Sequence, residues 1–246
     1  MSKSTKKQPF AVFDIDGTIS RNSLYHALVY ELIERGVLPK SLRQAFDDKF
    51  DNWRNRSHPE AYNEYTMAMV TAYEPLMTQV RVSDFEEAAA HVADRLKKQA
   101  YVFTRELAKK LKKRGYFLIA ISGSPKEIVG PFANHYGFDD FVARKFERQG
   151  EYYTGSADRT YTDKDVILNE LIARHNLTST GSVAVGDSRG DLSLLDNVEQ
   201  PIAFNPEKEL MEHATQQGWK VVVERKNVIY ELEQHDGRYV LASPNT

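Results

Sequence analysis

The chain has 246 residues, a formal net charge of −2 and no cysteine. That length accommodates one large domain or a core carrying an inserted module, and the near-neutral charge argues against a generic nucleic-acid binder. The lack of cysteine excludes disulfides and thiolate metal sites and fits a reducing compartment.

The first residues, MSKSTKKQPF, are basic and polar, and no apolar h-region follows them. A signal peptide is therefore not expected, and residues 1–8 read as a disordered tail. The longest strongly apolar run, Tyr116 to Ile121, is too short to span a bilayer. The expectation is a cytoplasmic protein that engages neither membrane nor nucleic acid.

Phe10 to Asp16, FAVFDID, reads as a short buried strand, apolar without strict alternation. A helical stretch follows, from about Arg21 to about Gln99. Leu24, Leu28, Leu32 and Ile33 form one apolar stripe, and Phe46, Phe50 and Trp53 another. Tyr62, Tyr65, Met69, Val70 and Tyr73 form a third. The aromatic stripes read as interior packing of this module. Ser83 to Glu86 has the form of a capping box opening a further helix. The next helix ends in a lysine-rich run at Arg114, with Gly115 as its stop. That run reads as a solvated face.

Tyr116 to Ser122 is a second strand, and Ser124-Pro125-Lys126-Glu127 has the form of a capping box with proline at the first helical position. Phe141 to Gly155 reads as a hairpin turning at Gln149-Gly150. Thr162 to Asp165 is a weaker helix start. Strands then follow at Ser182–Asp187, Pro201–Asn205 and Lys220–Glu224, and residues 225–246 receive no assignment. Alternating strands and helices predict an α/β fold, a Rossmann-like doubly wound, mainly parallel sheet. The roughly 95 residues between the first two strands far exceed the ~30 of a simple crossover. The domain reading is a core of residues 1–20 and 100–246 with a helical cap of 21–99.

Four polar features fall at successive strand ends, the edge where such sheets bind ligands. Asp14 and Asp16 sit two residues apart before Gly17 and Thr18. One carboxylate there can serve as nucleophile or metal ligand and the other as general acid and base. Ser122-Gly123-Ser124 offers a hydroxyl and free N–H groups for phosphate, with Ser124 itself read as the N-cap. Lys164 is a cation at a helix N-terminus, unfavourable for the macrodipole unless carboxylates or an anion compensate. Asp187 and Asp191, in GDSRGD, offer oxygen ligands for a hard cation such as Mg²⁺. Each feature alone could be helix capping or a solvated charge; four in order could not plausibly be accidental.

The combination DIDGT, SGS, a lysine and GDxxxD resembles the haloacid dehalogenase superfamily, in particular its phosphoserine-phosphatase-like branch, over roughly Phe10 to Glu224. The resemblance implies a Mg²⁺-dependent phosphatase acting on a small phosphorylated metabolite. It implies Asp14 as the nucleophile that becomes an aspartyl-phosphate, and Asp16 as acid and base. Ser122, Gly123 and Thr18 would contact substrate phosphate, and Lys164 would bridge the phosphate and Asp14. Asp14, the backbone carbonyl of Asp16 and Asp187 would bind metal, with Asp191 supporting them. Two positions depart from the branch. Ser23 stands where phosphoserine phosphatases carry an acidic residue that meets the substrate amine, and Gly190 stands where many members have asparagine. The alternatives are phosphoserine phosphatase proper and a non-catalytic phosphate- or metal-binding protein.

Overall fold

The computed structural model describes residues 7–158 and 163–242. Strand β1 (Gln8–Phe13) leads into a run of helices: α1 (Leu24–Glu34), α2 (Asp47–Arg54), α3 (Ala61–Tyr73) and α4 (Val82–Leu96). Helix α5 (Val102–Lys113) returns the chain to strand β2 (Phe117–Pro125). Then come α6 (Lys126–His135), β3 (Asp140–Arg144), and the hairpin of β4 (Phe146–Gln149) and β5 (Tyr152–Ala157). The remainder is α7 (Lys164–Arg174), β6 (Leu177–Gly186), α8 (Leu192–Leu195), β7 (Gln200–Phe204), α9 (Lys208–Gln217), β8 (Lys220–Arg225), β9 (Val228–His235) and β10 (Arg238–Leu241).

The main sheet has the order β10-β9-β8-β7-β6-β1-β2-β3. The six strands from β8 to β3 run parallel, whereas β9 and β10 add on antiparallel. This is the predicted doubly wound α/β sheet with an inserted helical cap. Successive strand residues point to opposite faces. Thus Ala11 and Phe13 enter one apolar cluster, continuous with the cap helices, while Phe10 and Val12 enter a second cluster behind the sheet. Burial on both faces explains the near-continuous apolar runs that mark these strands in the sequence. Chain order reverses between β1 and β6, so the C-terminal ends of these neighbours form the crevice of the switch point.

The two connections between cap and sheet run side by side. Arg21 N–H donates to the Gln99 carbonyl at 2.9 Å, and Tyr101 N–H donates to the Ile19 carbonyl at 3.0 Å. On the other flank the β4–β5 hairpin ties to the cap, with Val82 N–H donating to the Glu151 carbonyl at 2.8 Å, and buried Arg144 at the end of β3 pairs with Glu74 at 2.6 Å.

Several sequence expectations need correction. Gln8 is already in β1, which the expected disordered stretch of residues 1–8 included, and residues 1–6 lie outside the described residues. Helix α4 starts one residue before Ser83, whose hydroxyl bonds Asp84 instead of capping. The expected hairpin from Phe141 splits: its first part is β3 of the main sheet, and only β4 and β5 pair across the turn at Gly150. Strand β2 runs on through Ser122-Gly123-Ser124 to Pro125, so Ser124 does not cap α6. Of the proposed start at Thr162, that residue lies outside the described residues, and Asp163 makes no side-chain capping bond. The unassigned C-terminal segment supplies β9 and β10. Among the described residues no helix is long and apolar enough to cross a membrane.

Candidate active site

Strand β1 stops at Phe13, and Asp14 N–H donates to the Val185 carbonyl of β6 at 3.0 Å, fixing Asp14 at the sheet edge. The chain then wraps round one carbonyl. The N–H groups of Thr18, Ile19 and Ser20 all donate to Ile15 O, at 3.3, 3.0 and 2.8 Å. Gly17 sits inside this turn at φ +79°, a conformation glycine adopts freely. A second constraint acts there: a Cβ on Gly17 would lie 2.1 Å from Asp187 Oδ2. Gly17 is thus required both by the turn and by the close approach of Asp187.

Lys164, at the start of α7, is buried and reaches across to donate to Asp14 Oδ1 at 2.9 Å and Asp191 Oδ1 at 2.6 Å. The carboxylate cluster supplies the compensation that a lysine at a helix N-terminus needs. Asp191 is wholly buried, and its Oδ2 accepts from the N–H groups of Asp187 and Ser188 and from the Ser188 hydroxyl. Asp187 Oδ1 accepts from the Thr18 hydroxyl at 3.2 Å. Thr18 is fully buried, and its carbonyl accepts from Thr104 at 2.7 Å, so its hydroxyl holds Asp187 and does not open onto the crevice.

Asp16 is held differently. Its Oδ1 accepts the N–H of Leu24, the first residue of α1; its Oδ2 accepts from Ser122 Oγ at 3.0 Å and Ser124 Oγ at 2.7 Å. Ser124, the expected helix cap, is instead a buried partner of Asp16. The local Ser-Pro-x-Glu pattern suggested capping; only the tertiary position of Asp16 reveals the other use. Ser122 Oγ also accepts from Ser124 N–H at 3.0 Å. Gly123 lies between these two serines on β2.

Four carboxylates therefore face one ammonium. Burial pushes Asp14 up to about 8; Lys164 opposes that rise, whereas Asp191 and Asp16 reinforce it. Burial also raises Asp187 well above the usual carboxylate range, helped by Asp14 and Asp191. Asp16 is raised by burial against the pull of Ser124, Leu24 and Ser122. Burial alone would depress Lys164, but Asp14 and Asp191 outweigh it and hold the ammonium above the ordinary lysine value. Such excess negative charge is what a bound cation relieves. Carboxylate oxygens of Asp14, Asp187 and Asp191 all lie within 4.8 Å of one another. Two Mg–O bonds span about 4.2 Å, and Mg²⁺ takes oxygen ligands, so the donor set fits that ion in kind, and its oxygens lie at most about 0.6 Å beyond the span one ion would impose. The Asp16 carboxylate is engaged with Leu24 and the two serines and is not one of these three.

A family model for haloacid dehalogenase-like hydrolases matches residues 11–196, which include all of these positions. The chain belongs to the haloacid dehalogenase-like hydrolases. It is 25% identical over 221 residues to a histidinol-phosphatase of Neisseria meningitidis serogroup C (strain 8013), covering 86% of this chain and 97% of that relative. In fold it is similar to a Bordetella pertussis Tohama I protein of unknown function (TM-score 0.68, 21% identity, 88% of this chain and 98% of the other). It is also similar to a phosphoserine phosphatase solved with an analogue of its phospho-aspartyl intermediate (TM-score 0.60, 21% identity, 90% and 95% covered). Family and relatives together make this hydrolase a phosphatase.

Proposed function

We propose that this phosphatase is Mg²⁺-dependent and hydrolyses a small-molecule phosphomonoester through an aspartyl-phosphate on Asp14. One observation carries the reading: Asp14, bound to Lys164, and Asp16, bound to Ser122, Ser124 and Leu24, are neighbouring carboxylates kept in separate environments. Paired titratable groups in different surroundings are the means by which one site supplies both a nucleophile and an acid.

Asp14 attacks phosphorus, and the P–O bond to the alcohol breaks as Asp16 gives its proton to the departing oxygen. The raised affinity of Asp16 for a proton suits that step. Asp16 then takes a proton from water, whose oxygen attacks the phosphorus and frees Asp14 and inorganic phosphate. Lys164 stays charged beside Asp14 and offsets the repulsion between nucleophile and phosphoryl group. Ser122 Oγ and Gly123 N–H are assigned to phosphate oxygens, whereas Thr18 serves by fixing Asp187. Asp14, Asp187 and the Asp16 carbonyl would hold Mg²⁺, backed by Asp191, and the ion would supply positive charge to the phosphoryl oxygens.

The cap is assigned to residues 21–99 and the core to 1–20 with 100–246, a division supported by the paired connections at 19–21 and 99–101. The site is assigned to a small phosphorylated metabolite and not to nucleic acid or membrane, in a cytoplasmic protein. Histidinol phosphate, the compound for which the Neisseria relative is named, is the first substrate to assay. Phosphoserine ranks behind it, because Ser23 offers no carboxylate to a substrate amine. The test is turnover of a generic aryl phosphate with and without Mg²⁺. Activity should require the metal and vanish in Asp14→Asn; an active Asp14→Asn protein would remove Asp14 as nucleophile.

A further inference from the structure

The cap carries an open cavity of about 520 Å³ at the junction of α2 and α3. Its two large walls are Trp53 and Tyr62, which remain 39% and 40% exposed. The sequence placed both in stripes expected to be interior, and their stripe neighbours Phe46 and Tyr65 are indeed buried. Trp53 stacks on Tyr65 with centroids 5.4 Å apart and planes 8° apart, and it meets Tyr62 at 5.4 Å and 54°. Two large aromatic side chains held rigidly at the lip of a cavity, yet left half open, suit a ligand better than a core.

Tyr62 connects this cavity to the catalytic carboxylates. Its hydroxyl interacts with the side chains of Ser23 and Thr66 and feels the charges of Asp16 and Asp187. Ser23 caps α1, and the next residue, Leu24, donates its N–H to Asp16. Buried His26 fixes the arrangement from behind: it bonds Thr66 at 3.1 Å and meets the Tyr62 ring at 5.6 Å. From the other side, Glu60 acts on Glu207, whose N–H donates to the Asp187 carbonyl at 2.9 Å. The segment lining the cavity therefore lies over the strand ends that carry Asp16 and Asp187.

The lining also says what kind of group would enter. Besides the two aromatic walls, the only aliphatic side chains among the described residues of the lining are Pro59 and Ala61, with no leucine, isoleucine or valine. An alkyl tail would find little to pack against, whereas a flat ring would find the exposed parts of two aromatic side chains. Arg56 on the rim, at φ +52°, is the left-handed residue that ends α2, and Ser57 N–H closes the turn by donating to the Asn52 carbonyl at 3.0 Å.

We propose that this cavity is the leaving-group subsite, and that the preferred substrates are phosphomonoesters whose alcohol bears an aromatic or heteroaromatic ring, packed against the exposed parts of Trp53 and Tyr62. The assignment rests on the phosphatase reading of the Asp14 site.

Calorimetry on the Mg²⁺-loaded protein tests it with two non-hydrolysable probes, 3-phenylpropylphosphonate and pentylphosphonate. Stacking of a ring on an aromatic side chain is worth about tenfold or more in affinity, so wild type should bind the phenyl probe about tenfold tighter. Trp53→Ala and Tyr62→Ala should each erase most of that ratio, and Trp53→Phe should restore it. Equal affinities in wild type, or a ring preference that survives both alanine variants, would overturn the proposal. Because the wild-type ratio decides by itself, an unstable variant does not leave the question open. Turnover of 2-phenylethyl phosphate against butyl phosphate separates the two readings. If only the subsite assignment fails, both compounds react with equal kcat/KM and Asp14→Asn is inactive. If only the Asp14 assignment fails, Asp14→Asn stays active and the binding preference persists.

Discussion

Asp16→Asn separates chemistry from architecture at this site. The Asp16 carboxylate accepts three hydrogen bonds, from Leu24 N–H on one oxygen and from Ser122 and Ser124 on the other. An asparagine can keep its oxygen toward Leu24 and turn its amide N–H₂ toward the serines, whose hydroxyls rotate to accept. The number of hydrogen bonds is preserved, so folding stability should change by no more than about 1 kcal/mol, the worth of a single bond. Removing a negative charge beside Asp14 works in the stabilising direction, which further limits any loss. The acid and base, by contrast, are gone, and such groups contribute about 10²–10⁴ in rate, equivalent to about 3–5 kcal/mol of barrier. The assay is kcat on two substrates together with thermal melting. An alkyl phosphate, whose leaving oxygen needs the proton, should lose the full factor in formation of the aspartyl-phosphate. An aryl phosphate with a good leaving group should form the intermediate almost normally and then stall, giving a burst of phenol followed by slow turnover. Wild-type kcat on the alkyl ester, or identical losses in the first step for both substrates, would refute the acid–base assignment.

Three further outcomes follow from the geometry. Gly17→Ala would place a Cβ 2.1 Å from Asp187 Oδ2 at φ +79°, so Asp187 must move; Mg²⁺ affinity by calorimetry should fall at least tenfold, and an unchanged Kd would show that Asp187 is not a ligand. Lys164→Met leaves Asp14 and Asp191 buried without their cation; denaturant titration should show a loss of about 3–5 kcal/mol, and a variant as stable as wild type would mean that the pair is well solvated. Burial lowers His26 from its ordinary 6.5 to about 4, so it is neutral in the fold while the unfolded chain already takes up a proton below pH 6.5. Stability should therefore fall as pH drops from 6.5 and level off below about 4, by about 3 kcal/mol in all; the difference between wild type and His26→Gln isolates this slope, and parallel curves would refute it.

What the sequence made legible were features whose cause is local or periodic. The two-sided apolar runs became β1, β2 and β6 because a parallel strand needs apolar side chains on both faces. Asp14, Lys164, Asp187 and Asp191 could be gathered into one site because strand ends in a doubly wound sheet converge. Ser124 was misread because its local signature, Ser-Pro-x-Glu, is that of a cap, while its real partner is Asp16, 108 positions away. The family resemblance assigns Thr18 to substrate phosphate, whereas its hydroxyl turns inward to Asp187. The β9–β10 hairpin escaped because its residues are largely exposed, which leaves little apolar alternation to read. Trp53 and Tyr62 matched their buried neighbours in helical spacing, so periodicity alone could not show that they stay open.

The two carboxylates of the opening motif differ in what holds them, and that difference links chemistry to the cap. Asp14 is fixed entirely from the sheet side, by β6 through its N–H and by Lys164 through its carboxylate. Asp16 is held from both sides: Ser122 and Ser124 belong to β2, but Leu24 is the first residue of the first cap helix. A shift of α1 would therefore leave the nucleophile in place while removing one of the three donors that orient the acid. Ser23 sits at that junction, accepting from His26 N–H to cap α1 and contacting Tyr62 at the cavity wall. The position where a phosphoserine phosphatase would present a carboxylate to its substrate is used here to join the acid's support to an aromatic wall.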